Sequence, residues 1–461
     1  MTLIKSISGI RGTIGGEKGD NLTPIDIVEC AAAFGTWTIR NSGIRKIVVG
    51  RDGRISGQMV SSLVINTLQA LGIEVIDLGL STTPTVEIAV PLEQAGGGII
   101  LTASHNPAHW NALKFLNSKG EFISAKDGEM VLQLIDEGNI EFVGVNDLGV
   151  CHKDDSYIHK HVEQILALES VFSEKIKQKK YKIVLDAINS TGAIAVPALL
   201  DQLGCTTIVI NGEITGNFAH NPEPLPEHLS QIREKVLAEK ADLGIVLDPD
   251  VDRLAFVCED GTLFGEEYTL VAAADHILSL RPGNTVSNMS STRALRDITE
   301  KSGGIYQPAA VGEVNVVTKM KEINAVIGGE GNGGVIYPAL HYGRDALVGI
   351  ALVLSRLAQS GLTISQLRKT YPDYFISKNK IELTKDINVD QLLNDIQQSY
   401  KNNPINTEDG VKIEFDNNWV HLRKSNTEPI IRIYAESETA EKADALAGNV
   451  MNEIKRICNI H

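Results

Sequence analysis

Short apolar runs alternate with longer segments of helical apolar spacing as far as Lys369, and this alternation predicts strands followed by helices. Thr23-Pro24-Ile25-Asp26 opens the first helix. Threonine caps it, proline fits its first turn, and Asp26 stands three residues after the cap, so the helix should run to about Ile39. Residues 46–50 read as a strand, 58–71 as a helix stopped by Gly72, and 74–78 as the next strand, which makes a βαβ unit. The pattern returns as strand 182–185, helix 193–203 stopped by Gly204, and strand 206–210. It returns more weakly as strand 285–288 and helix 293–301, followed by Gly303-Gly304.

After Tyr371-Pro372-Asp373 the pattern changes. A strand near 380–383, a helix near 389–400, strands 411–415, 420–422 and 430–434, and a last helix from 439 to about 458 describe an α+β lobe instead of another βαβ copy. The predicted domains are therefore 1–150, 151–255, 256–372 and 373–461, the first three α/β and related, the last α+β. No low-complexity tract separates them, so packing around a common cleft is expected.

Composition narrows the setting without naming a reaction. A formal net charge of −15 over 461 residues speaks against nucleic acid or an anionic membrane as partner, so any phosphate site must gather local Arg and Lys. The five cysteines are scattered and lack Cys-x-x-Cys spacing, which supports neither a disulfide framework nor a zinc site. With no signal-like or membrane-length apolar run, a cytoplasmic protein is expected.

Three segments carry candidate chemistry. The apolar run Gly97-Gly98-Ile99-Ile100-Leu101 is followed by Thr102-Ala103-Ser104-His105-Asn106-Pro107, which places the Ser104 hydroxyl at the end of a buried strand, where α/β proteins put reactive groups. Lys114 follows a short way on, either a solvated loop charge or a general acid/base whose pKa desolvation lowers. Asp248-Pro249-Asp250-Val251-Asp252-Arg253 alternates three carboxylates and ends in a fixed cation, either as a hard divalent ion beside a phosphate requires or as a solvated acidic turn. An EF-hand is excluded: Arg253 stands where that loop needs glycine, and the flanks read as strands. Arg423, Ser425, Asn426 and Thr427 offer a cation, hydroxyls and an amide, either as an anion nest or as a polar turn.

Gly329-Glu330-Gly331-Asn332-Gly333-Gly334 matches a dinucleotide-binding pattern, but Val335-Ile336-Tyr337-Pro338 continues as extended chain where that fold needs a helix. The loop suits sugar hydroxyls instead, with Glu330 accepting and Asn332 both accepting and donating, or else it is a flexible turn.

These loops, in this order, together with Gly9-Ile10-Arg11-Gly12 and Asn221-Pro222-Glu223-Pro224, resemble the α-D-phosphohexomutase superfamily over essentially the whole chain. The resemblance implies four domains in a heart-like arrangement, three of mixed α/β type and a C-terminal TATA-box-binding-protein-like lobe, around a central cleft. It implies reversible exchange of hexose 6-phosphate and hexose 1-phosphate through a phosphoserine and a bisphosphorylated sugar. Ser104 would carry the phosphate; Asp248, Asp250 and Asp252, with the Ser104 phosphate, would hold Mg²⁺. Arg11, His105, Lys114 and Arg253 would surround the transferring group, Glu330 and Asn332 would bind the sugar, and Arg423, Ser425, Asn426 and Thr427 the phosphate that does not react. The partner would be a small hexose phosphate, bound by a monomer or homodimer, with hexose 1,6-bisphosphate as intermediate and activator.

Two departures stand out. The commoner Asp-Gly-Asp-Gly-Asp-Arg is here Asp-Pro-Asp-Val-Asp-Arg, and the sugar loop lacks the family's histidine, so its acid/base role falls to Lys114, His105 or water. Glucosamine phosphate is the favoured sugar, with mannose or glucose phosphate as alternatives. A Mg²⁺ phosphatase and a catalytically silent sugar-phosphate binder are the remaining readings.

Overall fold

The capping signal at Thr23 is realised. Helix Pro24–Ser42 starts there, with the Asp26 amide donating to Thr23 Oγ1 and the Thr23 amide to Asp26 Oδ2 at 3.1 Å, and it ends at a left-handed Gly43. Its buried face stacks Phe34 on Phe115 at 4.4 Å between ring centroids, a contact whose loss in Phe34→Ala costs about 3–5 kcal/mol. The computed structural model describes residues 2–6, 9–382, 387–424 and 430–458. These form two units, Met1–Leu280 with Asn332–Arg368, and Arg281–Gly331 with Lys369–His461.

The first unit contains a seven-stranded sheet in the order Ile4–Ser6, Gly9–Thr13, Trp110–Leu116, Gly97–Leu101, Lys46–Arg51, Glu74–Leu80, Cys151–Lys153. Its centre is the expected βαβ unit, since Lys46–Arg51 pairs in parallel with Glu74–Leu80 across helix Gly57–Ala70. The antiparallel edge formed by the first three strands was not anticipated. Lys114 therefore lies on a strand, opposite Gly9, and not on a loop. Apolar clusters fill both faces of this sheet, so its central strand Gly97–Leu101 is buried at every position.

The second sheet of this unit runs Leu254–Cys258, Leu243–Leu247, Lys182–Asp186, Thr206–Ile210. Leu243–Leu247 and Leu254–Cys258 are antiparallel, so the aspartate segment is the strand-to-strand turn expected from its flanks. The helical stretch expected to end near Lys369 is two helices, Ala346–Ser360 and Ile364–Arg368, the first buried at twelve of its positions.

In the second unit, Thr285–Asn288 pairs in parallel with both Tyr306–Ala309 and Ile327–Glu330. A five-stranded antiparallel sheet follows, ordered Phe375–Glu382, Ile430–Ser437, Trp419–Lys424, Val411–Glu414, Ile405–Asn406. Helices Val389–Ser399 and Ala440–Cys458 share one apolar core with it, the α+β lobe expected after Asp373.

Candidate active site

Strand Gly97–Leu101 ends at a turn in which Ser104 adopts a left-handed backbone, φ 47°, and is 6% exposed. The Ser104 amide donates to Thr102 Oγ1 at 2.9 Å, and the Thr102 hydroxyl donates to Asp52 Oδ2 at 2.7 Å. Arg54, 1% exposed, threads into this turn. Its guanidinium donates to the carbonyls of Ser104 (2.5 Å), Asn106 (2.7 Å), Pro107 (2.7 Å) and Trp110 (3.0 Å), and Nε pairs with Asp52 at 3.0 Å. A planar donor fork facing converging carbonyls fixes a loop that its own short-range turns would leave loose. Sequence reasoning missed Asp52 and Arg54; the available signal was a charged Arg51-Asp52-Gly53-Arg54 immediately after a buried strand.

The Ser104 hydroxyl donates to Asp248 Oδ2 at 2.6 Å. The three aspartates are buried, and one carboxylate oxygen from each lies within 4.8 Å of the others. Asp248 Oδ1 accepts the amides of Asp252 and Arg253, both at 3.1 Å, which curls the turn around it. Ser190 links the two loops, accepting the Gly53 amide at 3.0 Å and donating to Pro249 O at 2.6 Å. Burial, with the charges of Asp252 and Asp250, holds the Asp248 carboxyl well above the usual range. Burial opposes ionisation of Asp250 too, but Lys114 and hydrogen bonds from Asp248 and Thr83 bring it below the usual range. Asp250 Oδ1 and Asp252 Oδ1 are buried without a hydrogen-bond partner. Crowded carboxylates with orphaned oxygens fit a hard divalent cation.

Cations line the same place. Lys114 Nζ is 2.9 Å from Asp250 Oδ2, and Arg344 Nη2 is 2.6 Å from Asp252 Oδ2. Arg253 reaches Glu223 Oε1 at 3.4 Å, while its buried Nε has no hydrogen-bond partner. Burial, then the Arg253 charge, depresses the Arg11 pKa, so two guanidinium groups approach each other here. Burial, Arg253 and Arg344 push the His105 imidazole down to about 2, so it is neutral, and its Nδ1 lies 3.5 Å from Ser104 Oγ. The expected lowering of the Lys114 pKa is reversed. Burial presses it down, but Asp250 and Asp252 outweigh burial and raise it, so Lys114 stands as an ammonium. Arg344 was also missed, because its partner Asp252 is 92 residues distant.

Gly333 and Gly334 belong to this unit. At Gly333, φ is 86° and a Cβ would meet Leu254 O at 2.2 Å, so only glycine lets the loop lie against the end of the aspartate turn. Asn332 accepts the Gly334 amide at 3.3 Å on its side-chain oxygen. In the second unit, Glu330 is 4% exposed and accepts from Asn288 Nδ2 at 2.9 Å and the Gly312 amide at 3.2 Å. That carboxylate is already held by protein donors, a restraint the sugar-loop reading did not foresee. Arg423 is the penultimate residue of strand Trp419–Lys424 and pairs with Asp409 at 3.2 Å. Ser425, Asn426 and Thr427 lie outside the described residues.

A strand-end serine bonded to a three-carboxylate turn, within a ring of fixed cations, is the equipment of a phosphoryl-transfer enzyme. Four consecutive parts of the chain match the phosphoglucomutase/phosphomannomutase domains: α/β/α domain I over 3–140, domain II over 155–261, domain III over 265–374 and the C-terminal domain over 380–453. The chain belongs to this family, within the α-D-phosphohexomutase superfamily. A phosphoglucomutase/phosphomannomutase of Thermococcus kodakarensis is 35% identical over 94% of this chain and 95% of its own length. A phosphoglucosamine/phosphogalactosamine mutase of Sulfurisphaera tokodaii is 33% identical over 97% of both. The crystal structure of a phosphoglucomutase/phosphomannomutase family protein from Burkholderia thailandensis superposes with a TM-score of 0.86 at 25% identity, covering 99% of this chain and 97% of that one.

Proposed function

We propose that the chain interconverts hexose 6-phosphate and hexose 1-phosphate, with glucosamine phosphate as its preferred sugar and Ser104 as the residue that carries the phosphoryl group. The observation that carries this reading is the Ser104 hydroxyl at 2.6 Å from Asp248 in a turn of three buried carboxylates. In the forward half-reaction the bond between phosphorus and Ser104 Oγ breaks, a bond from phosphorus to a sugar oxygen forms, and the sugar hydroxyl proton passes to the serine. The reverse transfer from the other end of the bisphosphorylated sugar restores phosphoserine, so no phosphate is lost.

Asp248, Asp250 and Asp252 would hold Mg²⁺, which when bound supplies charge stabilisation to the transferring phosphoryl oxygens. Arg11 and Arg253 would orient those oxygens, and the buried Arg253 Nε, 3.9 Å from Asp252 Oδ1 and without a hydrogen bond, is a donor for one of them. Lys114 is the assigned proton carrier. As the ammonium it gives its proton to the departing oxygen, and as the resulting amine it takes the next from the arriving hydroxyl. Neutral His105 donates or accepts a hydrogen bond beside Ser104 without adding charge. Glu330 and Asn332 are assigned to the sugar, and Arg423, Ser425, Asn426 and Thr427 to the phosphate that does not react.

Incubation with glucosamine 1-phosphate, Mg²⁺ and a trace of hexose 1,6-bisphosphate tests the proposal. Isomer formation without release of inorganic phosphate supports it; release of phosphate identifies a phosphatase, and no turnover a binding protein. Similarity to the Thermococcus phosphoglucomutase/phosphomannomutase favours a second reading of the sugar, glucose or mannose phosphate, with the same chemistry.

A further inference from the structure

A second group of metal-ligating side chains lies inside the first unit, apart from the aspartate turn. His161 is buried midway along helix Tyr157–Leu166. Asp345, also fully buried, caps helix Ala346–Ser360, and His341 stands in the preceding turn with its side chain 12% exposed. Nε2 of His161 lies 2.9 Å, and Nε2 of His341 3.3 Å, from the same oxygen, Asp345 Oδ2. One ligand atom from each residue lies within 4.8 Å of the others. The outer atoms of His161 and Asp345 are hydrogen-bonded, and that of His341 makes an ion-pair contact. His161 Nδ1 is 3.0 Å from Thr85 Oγ1, His341 Nδ1 is 3.3 Å from Glu87 Oε2, and Asp345 Oδ1 accepts the amides of Leu347 and Val348 at 2.8 and 3.3 Å.

We propose that His161, His341 and Asp345 bind a transition-metal dication of the zinc class, in addition to any ion held by the three aspartates. Two imidazole nitrogens and one carboxylate oxygen form a donor set for such an ion, whereas Mg²⁺ takes oxygen donors, as the aspartate turn provides. Tetrahedral bonds of about 2.0–2.1 Å place neighbouring ligand atoms about 3.3–3.4 Å apart. The His341–Asp345 separation meets this already, and the His161–Asp345 pair needs to open by only a few tenths of an ångström. The outer contacts follow the pattern by which metal-bound histidines are oriented, the second ring nitrogen resting on a hydroxyl or carboxylate.

Charge points the same way. Asp345 and the 1%-exposed Glu87 bring two negative charges into a buried space, and a dication bound by two neutral imidazoles balances them. Without an ion, both Nε2 atoms must carry protons toward one carboxylate oxygen, and His341 needs a further proton toward Glu87. The turn bearing His341 and Asp345 closes tightly on Glu87, since a Cβ at Gly343 would come 1.8 Å from Glu87 Oε2.

The ion would sit behind the reactive loops. Thr83, on the helix that carries Thr85 and Glu87, donates to Asp250 Oδ2 at 2.6 Å, and Arg344, next to Asp345, donates to Asp252. A bound ion would thus brace three helices against Asp250 and Asp252 of the turn.

The test uses the full chain, stripped with a chelator, saturated with Mg²⁺, and titrated with Co²⁺ as a visible probe. One tightly held Co²⁺ per chain is expected, with a visible absorption band that stoichiometric Zn²⁺ abolishes and further Mg²⁺ leaves unchanged. The band should vanish in His161→Gln and persist in Asp250→Asn. Thr85→Val, which keeps all three ligands and removes an outer anchor together with the hydroxyl contact to Thr82, should weaken Co²⁺ affinity about tenfold to a hundredfold. Failure of the Mg²⁺-saturated wild-type chain to retain Co²⁺ or Zn²⁺ overturns the proposal and leaves an imidazolium hydrogen-bonded cluster. Loss of the band in Asp250→Asn overturns it also, by placing the ion in the aspartate turn.

Discussion

Arg54→Met removes the guanidinium that holds the serine turn while nearly preserving its volume, so four carbonyls each lose a charged donor and Asp52 loses its ion-pair partner, keeping the Thr102 hydroxyl and the residue-54 amide. The dominant cost is the buried carboxylate left without a counter-charge. Asp52 is fully buried, and removing one partner of a buried ion pair costs about 3–5 kcal/mol. Summing a further charged hydrogen bond for each carbonyl would overshoot, because Asn106 and Pro107 are partly exposed and water replaces the lost donor there. A loss of about 4 kcal/mol is therefore expected in urea titrations followed by fluorescence and by residual activity. Turnover should fall about a hundredfold in the protein that stays folded, since a shift of about 1 Å in a reacting group has that effect.

The pH dependence has a definite sign. Burial holds Asp52 above its ordinary pKa even with Arg54 lowering it, so in the variant the folded-state pKa rises further. A group raised on folding contributes stability at low pH that is lost as pH climbs through its folded value, so the deficit of Arg54→Met should shrink as pH is lowered. Asp52→Asn in the Arg54→Met background should recover a kilocalorie or more, on the order of the coupling between contacting residues. A single variant within about 1 kcal/mol of wild type, with normal turnover, would refute the clamp.

Ser104→Ala is expected to abolish mutase turnover and to remove the phosphopeptide found by mass mapping of the freshly purified protein; near-normal turnover sinks the phosphoserine assignment. Asp250→Asn removes one negative ligand and the acceptor shared by Lys114 and Thr83, so the Mg²⁺ titration should shift to higher concentration with strongly reduced turnover. An unchanged Mg²⁺ curve would refute the metal turn. Specificity constants measured side by side for glucosamine, glucose and mannose phosphates should favour glucosamine by about tenfold to a hundredfold, the effect of one hydrogen bond worth about 1–3 kcal/mol. Preference for another sugar would overturn that choice and leave the mutase chemistry standing.

What the sequence disclosed was local. The capping box at Thr23, the strand Gly97–Leu101 leading to Ser104, and the strand-to-strand aspartate turn depend on neighbours within a few residues, so period and turn chemistry reveal them. Arg54, Arg344 and the His161–His341–Asp345 group were not legible. Arg54 meets the serine turn 50 residues away, and His161 meets Asp345 across 184. Such partners are chosen by the sheet order, not by spacing. The antiparallel edge carrying Arg11 and Lys114 escaped for a related reason, since Gly9–Thr13 pairs with Trp110–Leu116 from a distant stretch of chain and itself has no marked alternation.

Val251 shows where a motif comparison stops short. Reading Val for the commoner Gly as a neutral change accounts for the three ligands but not for the backbone between them. Val251 keeps a left-handed φ of 63°, a conformation that a β-branched residue adopts at a cost of about 1–3 kcal/mol. The turn is held there from both sides. The Val251 amide donates to Asp248 O at 3.2 Å, its carbonyl accepts the Ala346 amide at 3.2 Å, and its side chain is fully buried. Burying an aliphatic side chain contributes roughly 1.5–3 kcal/mol, enough to offset the strain. The turn is tied to the start of helix Ala346–Ser360 through the Val251 carbonyl, while burial of the valine side chain offsets the strain of its left-handed backbone. The convergence of the carboxylates therefore rests on that helix as well as on the turn's own residues.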